Sequence, residues 1–135
     1  MMMRKEERVL LYQFPEEQIT VARDVFRALD IRMQLLPPDA CREKIGFLLG
    51  IKGYRKALPQ AEGLFDFPHR LLLLEHIQGK RLTKVLEALQ DAGIPCITYK
   101  SAVTPYNTLW TLRYLCEHMA KEHAGSVEDR EGKIQ

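Results

Sequence analysis

Arg70-Leu71-Leu72-Leu73-Leu74-Glu75 sets four consecutive leucines between charged ends. An apolar run this short reads as a strand buried on both faces. After it, Lys80 to Ala92 gathers Leu82, Val85, Leu86 and Leu89 on one side of a helix, and Gly93 stops that helix. Ile94 to Tyr99 then reads as another strand. A strand, a helix and a strand in this order make one β-α-β unit.

Upstream the same grammar occurs once more. Val9-Leu10-Leu11-Tyr12, within Arg8 to Gln13, is a buried strand. Phe14-Pro15 ends it, Pro15 suits the first turn of a helix, and Glu16 and Glu17 sit where the helix dipole favours negative charge. Ile19, Ala22, Val25, Phe26 and Leu29 share one helical face. Ile31 to Leu35 alternates with the period of a strand, and Pro37-Pro38 stops it. Asp39 is placed to cap a short helix that carries Ile45, Leu48 and Leu49 and ends at Gly50.

A shift of 63 positions lays Phe14 on Ile77, Ile19 on Leu82, Ala22 on Val85, Phe26 on Leu89 and Ile31 on Ile94. Two readings stand: a duplicated unit, or two units with the spacing that any such core demands. Residues 51–68 carry Gly53, Pro59, Gly63 and Pro68 and read as a long connection tacked down by Leu64, Phe65 and Phe67. Tyr106 to about His123 reads as the last helix, with Leu109, Leu112, Leu115, Cys116 and Met119 on one face. Residues 124–135 are polar, without period, and read as a disordered tail. The expected architecture is a single α/β domain over residues 1–123, β-α-β-α-β-α-β-α, with about four mostly parallel strands in the order 2-1-3-4 and helices on both faces.

The composition narrows the function classes. The chain has 135 residues, 20 Lys+Arg against 18 Asp+Glu, and 46% hydrophobic residues. Residues 1–68 hold 11 basic and 10 acidic side chains, so neither sign gathers in one arm. That balance argues against a polybasic nucleic-acid binder; the small cluster Lys52, Tyr54, Arg55, Lys56 reads as a solvated loop, diluted by Glu62 and Asp66. Three cysteines make no disulfide framework, and no Cys-x-x-Cys or facing His pair offers a metal site. Neither a membrane-spanning run nor the apolar core of a signal peptide is visible, so a cytoplasmic protein is expected. No dinucleotide or Walker fingerprint is present, and no cofactor is expected.

In parallel α/β sheets ligands bind at the carboxyl ends of the strands. There Glu75 and His76 form a candidate acid–base pair, weakened because neighbours on a strand point to opposite faces. Thr104-Pro105 reads as a helix cap followed by the first helical residue, with Asn107 placed as in a capping box. Lys100, Thr104 and Asn107 would then offer donors to a small anion at a helix N-terminus. Tyr106, Trp110 and Tyr114 form an aromatic stripe on the same helix, the candidate interface of a homodimer.

The segment from Arg70 to about His123 resembles the bacterial domain-of-unknown-function 3783 family. The resemblance is carried by Leu71 to Leu74, Gly93-Ile94, and a Lys-x-x-x-Thr-Pro-x-Asn-x-x-Trp pattern at Lys100, Thr104, Pro105, Asn107 and Trp110, with Leu115 and Glu122 beyond it. Ser101 and Tyr106 depart from the commonest pattern. The resemblance implies a fold and no activity. The expected function is a non-enzymatic binding or interaction module. The alternative is a small enzyme for an anionic metabolite, with His76 as general base.

Overall fold

The computed structural model of the chain describes residues 6–58 and 63–133. The elements run β1 (Arg8–Tyr12), α1 (Glu16–Ala28), β2 (Arg32–Leu35), a 3-10 turn (Pro38–Arg42), α2 (Ile45–Leu48), β3 (Leu71–Glu75), α3 (Lys80–Asp91), β4 (Tyr99–Ala102), a second 3-10 turn (Asn107–Leu109) and α4 (Leu112–Lys133). The chain divides into two compact units: Met1–Pro38 with His69–Thr104, and Asp39–Pro68 with Pro105–Gln135.

The first unit is an α/β layer on one four-stranded sheet of order β2-β1-β3-β4, the order expected. The sheet is mixed, which corrects the mostly parallel expectation. β1 and β2 pair parallel and β3 and β4 pair parallel, but β1 and β3 pair antiparallel, with Leu10 opposite Leu73. The register explains why. Moving Arg8–Tyr12 by 63 positions lands on Leu71–Glu75, so β1 and β3 are the same strand of two successive β-α-β units. Two such units related by a two-fold axis through the Leu10–Leu73 pair must meet antiparallel. Such an axis stands perpendicular to the sheet, so it also keeps both helices on one face. Val9, Leu11, Leu72 and Leu74 pack there with Ala22 and Phe26 of α1 and Val85 and Leu89 of α3. Leu10, Leu71 and Leu73, on the other face, are fully buried as well, as their unbroken apolar run demands.

Equivalent helix ends repeat the same chemistry. Asp30 and Gly93 both take left-handed backbone, at φ 58 and 92. Each is followed by a residue whose N–H reaches five residues back, Ile31 to Phe26 at 2.9 Å and Ile94 to Leu89 at 3.1 Å. Asp30 N–H to Arg27 and Gly93 N–H to Gln90 complete both motifs. Gln13 and His76, which close β1 and β3, are left-handed too, at φ 63 and 60.

After α3 the two units fall out of step by four residues. β2 begins at Arg32 and β4 at Tyr99, so 95–98 is an insertion and the last strand is not Ile94 to Tyr99 but Tyr99–Ala102. The insertion is pinned by Arg70, which donates to the carbonyls of Pro95 at 3.1 Å and Cys96 at 2.7 Å.

The second unit carries the correspondence on at a shift of 67, Lys44 to Thr111 and Ile45 to Leu112. Lys44 and Thr111 are themselves equivalent and face each other in an antiparallel bridge. Ile45 N–H donates to the Trp110 carbonyl and Leu112 N–H to that of Glu43, both at 2.9 Å. Ile45, Leu49, Leu112, Leu115 and Cys116 are buried. α4 runs on to Lys133, through most of the segment expected as a disordered tail; once nucleated, a helix extends at little cost per residue. No helix among the described residues is long and apolar enough to cross a membrane.

Candidate functional site

The helix start expected at Thr104-Pro105 lies further along. Pro105 leads into the 3-10 turn at Asn107–Leu109, and the chain is extended at Trp110, with ψ 149. α4 opens at Leu112, where the Oγ1 of Thr111 accepts the Tyr114 N–H at 3.1 Å. Thr111 is therefore the capping residue, three positions before the N–H it satisfies. Asn107 is buried at 6% exposure, and its carbonyl accepts the Trp110 N–H at 3.1 Å. No side-chain cap bond is made at the start of this turn.

Each sequence candidate now has a place. Lys100 lies on β4 and donates from Nζ to the Ile97 carbonyl at 2.9 Å. Thr104 follows β4 in the first unit, whereas Asn107 belongs to the second. Glu75 ends β3 with its carboxylate on Arg8 at 2.9 Å. His76 occupies the left-handed turn residue that follows, its Nδ1 2.9 Å from the Glu6 carbonyl. Histidine is one of the few non-glycine residues enriched in that conformation. Trp110 meets Tyr114 edge-on at 4.9 Å and His118 at 5.5 Å. Tyr106 and Tyr114 are 80% and 52% exposed.

The second unit also contains a cleft of about 640 Å³. Its lining brings together Arg42 from the first 3-10 turn, Lys44 from the bridge, Arg55 from the connection, and Thr111 at the cap of α4. Among the described residues no carboxylate lines it. The nearby Glu43 carboxylate is occupied, accepting the Ala57 N–H at 2.7 Å and so holding the connection in place. Tyr54 forms one wall. Its ring lies against Gly46, where an added Cβ would overlap it, and its hydroxyl donates to Thr108 Oγ1 at 3.2 Å. Thr108 in turn donates to the Pro105 carbonyl at 2.9 Å. Lys52 and Lys56 are exposed on the same connection. Three cations around one concave space create a positive potential that an anion relieves, and arginine offers paired donors suited to phosphate or carboxylate oxygens.

Sequence reasoning found Tyr54 and Arg55 but assigned them to a solvated loop, and it missed Arg42, Lys44 and Thr111. The signal lay in the repeat. Continued past the four-residue slip, it pairs Pro38 with Pro105 and Lys44 with Thr111. Among the described residues no group of three His, Cys, Asp or Glu side chains is placed to hold a metal ion. The buried Cys116 thiol is pushed up from 9.0 to about 12 by loss of hydration, with the neighbouring Cys41 and Glu117 adding to the effect, so it is no ready nucleophile.

No curated protein and no solved structure matches the chain. Residues 70–125, the span of the second β-α-β unit and the start of α4, match the family described as Domain of unknown function (DUF3783).

Proposed function

We propose that this protein is a non-enzymatic binding module for a small phosphate-bearing ligand, held in the cleft of Arg42, Lys44 and Arg55. The observation that carries the reading is the lining itself: three cationic side chains and the Thr111 cap around about 640 Å³, with no carboxylate among the described residues there. That volume falls within the roughly 300–1,000 Å³ of small-molecule sites. The fixed wall supports it further, because Tyr54 is tied to Thr108 and the connection to Glu43. A preformed cleft loses less entropy on binding. The non-enzymatic part is supported by Glu75 and His76, which are turned to structural partners, Arg8 and the Glu6 carbonyl.

The test is calorimetry and thermal melting with inorganic phosphate, pyrophosphate and a nucleoside triphosphate. Wild type is compared with the double variant Arg42→Gln, Arg55→Gln. Binding to the folded state raises the melting temperature, by the equivalent of about 2.7 kcal/mol at a hundred times Kd. The reading expects that rise in wild type and its loss in the variant. A rise of equal size in both, or none with any phosphate compound, overturns it. Tight binding of a long oligonucleotide with no binding of the small phosphates overturns it in favour of a nucleic-acid surface.

A further inference from the structure

We infer that a second site, independent of the cationic cleft, lies between α3 and the inserted segment 95–98 in the first unit, and that it takes an apolar monocarboxylate. The cavity there is about 410 Å³. Leu86, Leu89, Ile94, Pro95 and Ile97 supply its apolar walls. Lys100 is the charged group on the lining, with Cys96 beside it.

Three observations converge. The cavity is not a by-product of the fold, because the repeat provides a control. The equivalent space beside α1 is lined by Arg23, Arg27 and Asp30, where this one has Leu86, Gln90 and Gly93. The same architecture thus carries charge at one edge of the sheet and hydrocarbon at the other. Second, the wall that makes the difference is held rigidly. The insertion is absent from the first repeat, and Arg70 ties its Pro95 and Cys96 carbonyls. Third, Lys100 is positioned rather than loose. Its Nζ gives one proton to the Ile97 carbonyl at 2.9 Å, and an ammonium has two more to donate. A ligand with a hydrocarbon body and one negative oxygen pair satisfies both the walls and the ammonium. A neutral or cationic one leaves the ammonium without its complement.

Cys96 provides a readout at the site itself. It is exposed, whereas Cys41 is half-buried and Cys116 buried. The experiment follows alkylation of Cys96 by iodoacetamide, located by mass spectrometry, alongside thermal melting, with octanoate and octanol compared. The expected result is a rise of several degrees in melting temperature and at least a fivefold slowing of Cys96 alkylation by octanoate, with octanol giving much less of both. Lys100→Gln is expected to fold and to lose the preference for octanoate over octanol. Should that variant fail to fold, Leu86→Arg, which copies Arg23 of the other repeat, is expected to abolish the protection. Unchanged alkylation in octanoate overturns the inference, and so does equal protection by the two compounds. Slow Cys96 alkylation without ligand, together with a dimeric mass in sedimentation that Leu86→Arg reduces to monomer, also overturns it, since a second copy then fills the site.

Discussion

Lys44 and Thr111 face each other across an antiparallel bridge, and the residues beside them exchange two backbone bonds of 2.9 Å, Ile45 to Trp110 and Leu112 to Glu43. Each is the counterpart of the other in the two repeats, so this bridge is a two-fold contact inside one chain. Thr111 has a second task as the cap of α4. Replacing it with valine keeps the shape and removes the acceptor for the Tyr114 N–H. The expected cost is about 1 kcal/mol, read as a lower urea midpoint with an unchanged slope.

Gly93 and Asp30 occupy the same left-handed position after their helices, at φ 92 and 58. A Cβ at Gly93 meets nothing within 4 Å, so the cost of a substitution there is conformational. Gly93→Ala is expected to destabilise by about 1–2 kcal/mol. Gly93→Asp, which copies the first repeat, is expected to cost less than alanine, because aspartate tolerates this conformation through local hydrogen bonding. Chemical denaturation of the two variants side by side gives the order.

The wall of the cationic cleft rests on the absence of a side chain at Gly46. An alanine Cβ there would run into the Tyr54 ring. Gly46→Ala is expected to cost about 1–3 kcal/mol, as overpacking does, and to weaken phosphate binding by displacing Tyr54. In a Tyr54→Ala background the same change is expected to be close to neutral. A double-mutant cycle measures that coupling.

Cys116 sets a pH dependence. Its folded thiol is raised to about 12 by burial, from 9.0. Between those values the unfolded chain releases a proton that the folded chain keeps. Unfolding is then favoured as pH rises, because the folded state binds more protons. The thiol's contribution is complete below about pH 9 and is lost progressively toward pH 12. Stability is expected to fall with a slope approaching about 1.4 kcal/mol per pH unit in that window. Cys116→Ala, less stable at pH 8 through its small cavity, is expected to show a flatter alkaline limb in denaturation measured from pH 8 to 11.

Much of the fold was legible. The four leucines of β3, the apolar run of β1 and the faces of α1 and α3 depend on side-chain periodicity, which is local. The 63-position correspondence of Phe26 with Leu89 and Ile31 with Ile94 marks the two helix ends closed by bonds reaching five residues back. Thr104-Pro105 misled for an equally local reason. The pair starts a turn as readily as a helix, and the choice falls to the backbone beyond it, where Trp110 is extended and gives its carbonyl to Ile45. The cationic site was only half legible: the repeat pairs Lys44 with Thr111, but Arg42 and Arg55 share no period or motif with them.

The sequence by itself determined β1, β2 and β3, the apolar faces of α1 and α3, and the resemblance of the segment from Arg70 to a known family, since burial pattern and turn chemistry are written within a few residues. Only the tertiary structure decided that the two β-α-β units meet antiparallel at Leu10 and Leu73, that both α1 and α3 cover one face, and where charge and hydrocarbon gather into cavities. Those outcomes depend on how the repeats pair through backbone hydrogen bonds between residues 63 and 67 positions from their counterparts. A local pattern carries no record of such a pairing.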